Sequence, residues 1–135
     1  MRPRPSVTLQ AAPAAPAMID RGVYVALFLL KRRCRVHVGR LGVIAFDRGW
    51  YAYVGSAQRH LAARLRRHGL RQKTLHWHID YLAEKASMVA AIVIEGPKSL
   101  ECRLAAMLPK HGSTAVPGFG CTDCGCGSHL FRLSG

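Results

Sequence analysis

Arg64 and His68 are four residues apart in a segment with helical periodicity, and together they form a group that could hold an anion. At about 100° per residue, Arg64 lies about 60° from Leu61 and about 100° from Leu65, at the margin of the apolar face of the helix. His68 follows one turn later on the same side. A half-buried guanidinium with an imidazole beside it indicates a positioned site for an anion such as a phosphate group.

Further cations surround this pair, because no Asp or Glu occurs between Asp47 and Asp80. From Arg59 onward, the basic side chains of this segment are Arg59, Arg64, Arg66, Arg67, Arg71 and Lys73. Six cations would neutralise several phosphates, and binding should weaken steeply with added salt. The alternative interpretation is a solvated helix face, which accounts for Arg66 and Arg67 because both point away from the apolar stripe.

A second group of reactive side chains lies near the C-terminus. Within nine residues the chain carries Cys121, Cys124, Cys126 and His129. Zinc prefers such ligands, but so short a segment can hardly wrap a tetrahedron alone, so His76 or His78 would have to contribute. The other interpretation is that Cys124 and Cys126 are packed thiols and that His129 lines the rim of an active site.

The overall charge points to a polyanionic partner. Twenty Lys and Arg stand against seven Asp and Glu, a formal net charge of +13. Such a field attracts nucleic acid or an acidic membrane surface. A chain that is basic throughout, with no specific anionic partner, is the alternative, and the clustering of cations in one segment argues against it.

Length and cysteine usage limit the class of protein. The chain has 135 residues, half of them hydrophobic, which suits one domain with its own core. Five cysteines make a disulfide framework a poor interpretation, and Cys34 and Cys102 lie in apolar surroundings typical of core thiols. No apolar run of about 18 residues appears, and Pro13 and Pro16 interrupt any signal peptide. The predicted location is the cytoplasm, with no membrane partner.

The elements that position these side chains follow from apolar periodicity. Residues 1–17, rich in Pro and Ala, are predicted to form a disordered tail, and residues 18–135 one domain that ends in a Gly- and Cys-rich loop. Strands are predicted at 22–30, 35–38, 43–46, 50–54 and 88–94, and a short closing strand near Leu130. Helices are predicted at about 61–69, at about 75–86, and after Ser99. The core face of the last helix is predicted to be Leu100, Leu104, Met107 and Leu108. This order predicts a small α+β fold, with a mixed or antiparallel β-sheet flanked by helices.

Four motifs in this order resemble the GIY-YIG nuclease superfamily. The tripeptides GVY at 22–24 and YVG at 53–55 look like the two halves of its strand motif. The segment LAARLRRH at 61–68 resembles its Arg-x-x-x-His helix, and SLECRL at 99–104 resembles the helix that carries its metal-binding Glu.

Two further segments are similar to one branch of that superfamily, the Uri-type (DUF123) endonuclease-like proteins. They are LHWHIDYL at 75–82 and VPGFG at 116–120, so the resemblance covers residues 22–132. It implies a β-β-α-α-β-α core with an inserted hairpin. Tyr24 and Tyr53 are 29 positions apart, more than is usual in the family, so the insert at 31–48 must form an extra hairpin or strand, which could cover the site.

The resemblance implies a metal-dependent endonuclease that hydrolyses phosphodiester bonds of nucleic acid, with DNA as the expected substrate. The implied catalytic residues are Tyr24, Tyr53, Arg64, His68 and Glu101. One tyrosine would be the general base, which requires its pKa to fall below the ordinary value of about 10. Arg64 would clamp the phosphate, His68 would donate to it or assist proton transfer, and Glu101 would hold one Mg²⁺ or Mn²⁺ ion. The nucleic-acid-binding residues would be Arg59, Arg66, Arg67, Arg71 and Lys73.

Helix geometry supports an inward-facing Glu101, because it falls between Ala105 and Leu108 on the shoulder of the core face. Asp80 and Glu84, one turn apart, are predicted to be partners on the helix surface. For either tyrosine alone, packing across the sheet is the alternative.

Two other functions remain open. One is a nucleic-acid-binding domain that keeps the nuclease fold without cutting, and Glu101 with both tyrosines argues against it. The other is a zinc-stabilised interaction domain that uses the C-terminal loop.

Overall fold

The computed structural model describes residues 7–11, 19–121 and 125–134. The strands are β1 Val7–Ala11, β2 Gly22–Leu30, β3 Cys34–His37, β4 Val43–Phe46, β5 Gly49–Ala57, β6 Ser87–Ile94, β7 Ser113–Ala115 and β8 Leu130–Leu133. The helices are α1 Leu61–Gly69, α2 His78–Ala83 and α3 Ser99–Met107. Single turns of 3-10 helix lie at Gly39–Leu41 and Leu108–His111.

One six-stranded sheet carries the fold, in the order β1-β6-β2-β5-β8-β7, and neighbouring strands are antiparallel. β2 pairs with β5 along its full length and with β6 on its other side. A strand with neighbours on both sides and packed layers on both faces must be apolar throughout, as the sequence of β2 is. The predicted α+β fold with an antiparallel sheet is confirmed.

Each face of the sheet has its own core, because successive side chains of a strand point to opposite faces. On one face, Phe28 packs with Leu61 and Leu65 of α1 and with Ile79 and Leu82 of α2. On the other face, Val23, Val54 and Phe131 pack against Ala105 of α3. The helices are therefore divided between the two faces, α1 and α2 on one and α3 on the other.

The insert forms the predicted hairpin, β3 with β4, as a separate two-stranded sheet. It folds onto the α1 and α2 face, where Val36, Val38 and Phe46 are buried. The ring of Phe46 meets Tyr51 and Phe119 edge-to-face, with centroids 5.8 and 6.3 Å apart. Buried aromatic edges of this kind hold the hairpin on the sheet.

Within the segment predicted to be a disordered tail, Val7–Ala11 instead forms β1, which pairs with β6 from Val7↔Ile94 to Ala11↔Ala90. Without this strand β6 would be the edge of the sheet, with a row of unpaired backbone groups. The five residues contain no proline and can satisfy them. The rest of the predicted tail lies outside the described residues.

Smaller differences from the predicted elements have local causes. α2 begins at His78 rather than near Leu75, because the chain before it is held in a loop by Asp80. Met107 is half exposed and does not belong to the core face of α3, where Ala105 is buried instead. β7 was not predicted; it pairs with β8 and forms one edge of the sheet. Among the described residues, no helix has both the length and the apolar character needed to cross a bilayer.

Asp80 is fully buried, which corrects the prediction that it is a surface partner of Glu84. Its carboxylate lies 2.8 Å from Arg67 Nη1 and 3.7 Å from Lys73 Nζ, and it accepts hydrogen bonds from the backbone amides of His76 and Trp77. Burial alone would raise its pKa, but the Arg67 guanidinium and the two amides hold the pKa below the usual value. This carboxylate ties the end of α1 and the following loop to α2.

We expect Asp80→Asn to lower the free energy of unfolding by about 2 kcal/mol, because it leaves two cations facing a neutral amide. Since the folded pKa is below the unfolded one, the stabilisation is present above about pH 4 and is lost as the pH falls through the folded pKa. Urea unfolding of parent and variant between pH 3 and 7 measures the difference. Glu84→Gln, at the exposed end of the same helix, is the control and should change stability by less than about 0.5 kcal/mol. An equal loss in both variants would contradict this role for Asp80.

Candidate active site

The pairing of β2 with β5 places Tyr24 and Tyr53 on the same face of the sheet. Tyr24 is opposite Gly55 and Tyr53 is opposite Ala26, so the two phenols are diagonal neighbours. Their ring centroids are 6.4 Å apart, and the side chains are 2 % and 8 % exposed. Two residues 29 positions apart in sequence thus come to one spot.

The glycines beside these tyrosines are required by close contacts. A Cβ atom at Gly55 would lie 2.4 Å from Cζ and the hydroxyl of Tyr24, so the phenol rests on bare backbone. Gly22 has φ +135°, and a Cβ there would lie 2.3 Å from the carbonyl oxygen of Ile94. Only glycine adopts that φ readily. The glycines of both tripeptides therefore have a structural function.

His68, near the end of α1, packs against both tyrosines. Its Nε2 is 2.7 Å from the hydroxyl of Tyr24, and its ring meets Tyr53 edge-on with centroids 5.8 Å apart. Burial and the nearby charge of Lys73 lower the pKa of His68 to about 3, so the ring is neutral at physiological pH. Among the described residues, His68 Nδ1 has no hydrogen-bond partner although it is buried.

The protonation of the tyrosines differs from the sequence expectation. Burial raises the pKa of Tyr24 well above its ordinary value, and the neighbouring phenol of Tyr53 adds to the shift although Arg64 opposes it. Burial also raises the pKa of Tyr53, and the charge of Glu101 acts in the same direction. Both phenols are therefore protonated at neutral pH. The lowered tyrosine pKa that a general base requires is not found in the protein without a bound ligand.

Arg64 is held by its own contacts at the mouth of the site. Its Nη1 donates a hydrogen bond to the carbonyl oxygen of Ser56 on β5, and its guanidinium lies 5.0 Å from the ring centre of Trp77. Arg67 lies against the same indole at 4.7 Å. Cation–π contacts and a hydrogen bond on a planar guanidinium fix its direction.

Trp77 was not predicted to be a site residue. Besides the two guanidinium groups, it meets His68 edge-on with centroids 5.6 Å apart. The only signal in the sequence is an aromatic residue between His76 and His78 in a segment rich in cations. That signal does not reveal contact with Arg64, because the contact crosses from one helix to the next.

Glu101 comes from α3, which packs on the opposite face of the sheet from the tyrosines, and its charge acts on both phenols. β8 pairs with β5 only at Tyr51, Ala52 and Tyr53, so the following stretch of β5 borders a gap rather than a strand. The first turn of α3 lies across this gap from β5, with open space between them. The Oε1 atom of Glu101 lies 3.4 Å from His129 Nδ1, which is also 3.1 Å from the carbonyl oxygen of Val54.

These groups surround one cavity of about 470 Å³. Tyr24, Tyr53, Arg64, His68 and Glu101 all line it, together with Trp77, His129 and the start of α3 at Lys98 and Ser99. The described lining residues include none from the insert at 31–48, so the hairpin does not cover this cavity. The structure thus brings the five predicted catalytic side chains together.

The predicted nucleic-acid-binding cations fall into two groups. Arg59 and Arg66 are exposed. Arg71 is exposed but donates to Ser87 Oγ, and Arg67 is paired with Asp80. Lys73 has a side chain only 5 % exposed, and its Nζ donates to the carbonyl oxygens of Arg67 and His68. Lys73 therefore has a structural function in place of the predicted surface contact.

The structure also contains a group of side chains that could hold a metal ion, formed by Cys102, Cys126 and His129 with ligand atoms all within 4.8 Å of one another. Cys102 on α3 was predicted to be a core thiol. Of the predicted zinc ligands, Cys121 directs its thiol to the carbonyl oxygen of Phe119, and Cys124 lies outside the described residues.

The two histidines that were suggested as further zinc ligands lie elsewhere in the cavity. His78 Nδ1 accepts a hydrogen bond from the amide of Gly120, and burial lowers the pKa of His78. His76 is exposed and its ring packs against Trp77, with centroids 5.0 Å apart. Neither belongs to the cysteine group.

Comparison with known proteins identifies one family. The family model described as "Domain of unknown function DUF123" matches residues 23–135. No curated protein and no solved structure matches the chain.

Gly55→Ala tests the contact between β5 and Tyr24. The new Cβ would overlap the phenol, so Tyr24 must move away from His68, and we expect a loss of about 1–3 kcal/mol in stability. Loss of the Tyr24–His68 contact is measured from ring cross-peaks in NMR spectra, and stability from urea unfolding. Gly125→Ala is the control, because a Cβ there meets no described residue within 4 Å. Unchanged ring cross-peaks in Gly55→Ala would contradict the requirement for glycine.

Proposed function

The chain belongs to the DUF123 family, and we propose that it is a metal-dependent endonuclease of the GIY-YIG superfamily, Uri-type branch, which hydrolyses phosphodiester bonds of nucleic acid, with DNA as its substrate. One observation carries the proposal: two phenols, a guanidinium, an imidazole and a carboxylate line a single cavity. Each group alone is common, but this set suits attack on a phosphate and stabilisation of the charge that develops on it.

Arg64 supplies the phosphate contact. Ser56 and Trp77 fix its guanidinium from two sides, so its remaining N–H groups can point into the cavity without loss of side-chain freedom on binding. A fixed guanidinium stabilises a phosphorane better than a mobile one, since it needs no reorganisation as charge develops. The exposed ammonium group of Lys98 at the same cavity adds to this field.

Tyr24 and His68 form a pair that can move a proton. A water molecule at the Tyr24 hydroxyl can give its proton to the phenolic oxygen while the phenolic proton passes to His68 Nε2, 2.7 Å away. In the free protein this transfer is opposed, because the pKa of His68 is about 3. A phosphate in the cavity carries negative charge and favours the protonated imidazole. The second phenol, Tyr53, remains protonated and donates a hydrogen bond that orients the water.

Glu101 suits a hard divalent cation. Mg²⁺ and Mn²⁺ take oxygen ligands, and Mg²⁺ commonly uses one or two carboxylates together with substrate phosphates and water. The Glu101 side chain is 14 % exposed and lines the cavity that the tyrosines line, so its carboxylate can face both an ion and a bound phosphate. When bound, the ion supplies charge stabilisation at the leaving oxygen.

The alternative is a domain that binds nucleic acid without cutting it. The raised pKa of both phenols favours it, because a protonated tyrosine can take a proton from water only if it gives up its own. The carboxylate in the same cavity favours the enzyme, since a carboxylate repels the phosphates that a binding domain must attract.

Cleavage assays decide between these functions. We expect the parent to cut plasmid, single-stranded, branched or damaged DNA in Mg²⁺ or Mn²⁺, and Glu101→Gln to lose about 100-fold or more of the activity. Glu95→Gln removes the same charge at an exposed position outside the cavity and should leave the activity unchanged. Equal nicking by the parent and Glu101→Gln would assign the activity to a contaminant. Binding of DNA without nicking of any substrate would favour the non-catalytic alternative.

Salt dependence separates surface cations from structural ones. We expect Arg59→Ala and Arg66→Ala each to weaken DNA binding and to reduce the slope of log K against log salt by about 1, because each removes one phosphate contact. Lys110→Ala, an exposed cation after α3, should leave the slope unchanged. Fluorescence anisotropy with a labelled DNA duplex, measured at salt concentrations from about 50 to about 200 mM, gives the slope. Identical slopes for the parent and the three variants would show that DNA does not contact Arg59 or Arg66.

A further inference from the structure

Next to Glu101, two cysteines and one histidine lie close together, and their sulfur and nitrogen atoms could bind a transition-metal ion. Cys102 is the next residue on α3, Cys126 lies in the C-terminal loop, and His129 directly precedes β8. Their ligand atoms lie within 4.8 Å of one another, although Cys102 and Cys126 are 24 positions apart in the chain. The ligand atoms around a tetrahedral zinc ion lie about 3.8 Å apart, given a Zn–S distance of about 2.3 Å. Rotations of the side chains that move their ligand atoms by about 1 Å would bring them to that spacing.

His129 has the surroundings of a metal-ligating histidine. It is 2 % exposed, and its Nδ1 faces the Val54 carbonyl at 3.1 Å and Glu101 Oε1 at 3.4 Å. A histidine that binds zinc through one ring nitrogen usually donates from the other to a carbonyl or a carboxylate, which fixes the tautomer. Coordination through Nε2, with Nδ1–H donated to Val54 or Glu101, would follow this pattern.

The chemistry of the set selects the ion. Two sulfur atoms and one imidazole suit Zn²⁺, whereas Mg²⁺ and Mn²⁺ prefer oxygen. The chain carries a net charge of +13, so a divalent cation needs local negative charge. Two thiolates provide it, because cysteines bind a metal as thiolates and release their protons.

We propose that Cys102, Cys126 and His129 bind one Zn²⁺ ion, separate from the Mg²⁺ or Mn²⁺ ion of the proposed nuclease. The described side chains supply three of the four positions of a tetrahedron. The ion ties the C-terminal loop to α3 and, through His129, holds the carboxylate of Glu101 in the gap beside β5. Zinc binding does not depend on the proposed cleavage activity, and zinc content tests it separately.

Metal analysis of the purified protein is the first test. We expect the parent, purified without a chelator or a histidine tag, to contain about one zinc ion per chain by mass spectrometry. Cys102→Ser and Cys126→Ser should each lose most of it. Cys34→Ser, which changes a half-buried thiol of the β3–β4 hairpin, should retain it. Cys102→Ser is decisive, since a site built only from the C-terminal loop would keep its zinc in that variant.

A second measurement avoids variants that fail to fold. In the folded parent, zinc should protect Cys102 and Cys126 from alkylation by iodoacetamide, and a strong chelator should expose both, while labelling of Cys34 stays the same. Cobalt in place of zinc should give the near-ultraviolet charge-transfer absorption of thiolate ligands. The proposal is overturned if the reduced parent takes up no zinc, if Cys102→Ser retains it, or if the chelator leaves the labelling of Cys102 unchanged.

Discussion

The register between β2 and β5 is the constraint on which the candidate site depends. It puts the Tyr24 ring over the bare backbone of Gly55 and puts Tyr53 two residues away on the same face. A slip of one residue would turn one phenol to the α3 face, away from His68. The register is held on both sides, because a slip would also move Val23 and Val54 out of the second core and would bring Gly22 out of contact with Ile94. Geometry suited to chemistry is thus secured by ordinary packing over the whole length of a hairpin.

A second feature joins the two layers of the fold. A continuous sheet separates its faces, so a carboxylate on α3 could not normally meet phenols that point toward α1. Here β8 covers β5 only up to Tyr53, and the His129 carbonyl accepts from the amide of Val54 as the chain leaves the ladder. At this gap Glu101 and His129 line the same cavity as the tyrosines. The cavity therefore exists because the pairing of β8 with β5 stops at Tyr53. The backbone groups of β5 beyond that point must find hydrogen-bond partners elsewhere, such as in the loop before β8.

The sequence predicts the parts of this arrangement that depend on local pattern. The apolar run of β2 and the hairpin strand β4 have the predicted bounds, and α1 lies at the predicted residues, because each is a long or clearly bounded periodic segment. Contacts between distant segments are not visible in periodicity. Asp80 has the spacing of a surface residue and is buried because Arg67 and Lys73 reach it from the preceding helix and loop. Cys102 looks like a core thiol until the C-terminal loop folds against α3. The strand β1 follows a proline-rich stretch, and only the open edge of β6 explains it.

The cations around His68 affect its protonation in the free protein and would also bind a phosphate that enters the cavity. Lys73, Arg64 and Arg67 lie near His68, and with burial they keep its imidazole neutral and its Nε2 able to accept the proton of Tyr24. Asp80, which is paired with Arg67 and Lys73, offsets their charge only in part. If the proposed function holds, an anion bound to Arg64 would make protonation of His68 less costly. Because linkage is reciprocal, a protonated His68 must also bind that anion more tightly. On this proposal phosphate binding and proton uptake would be coupled at the imidazole of His68, and a neutral ligand of the same shape would not produce the coupling.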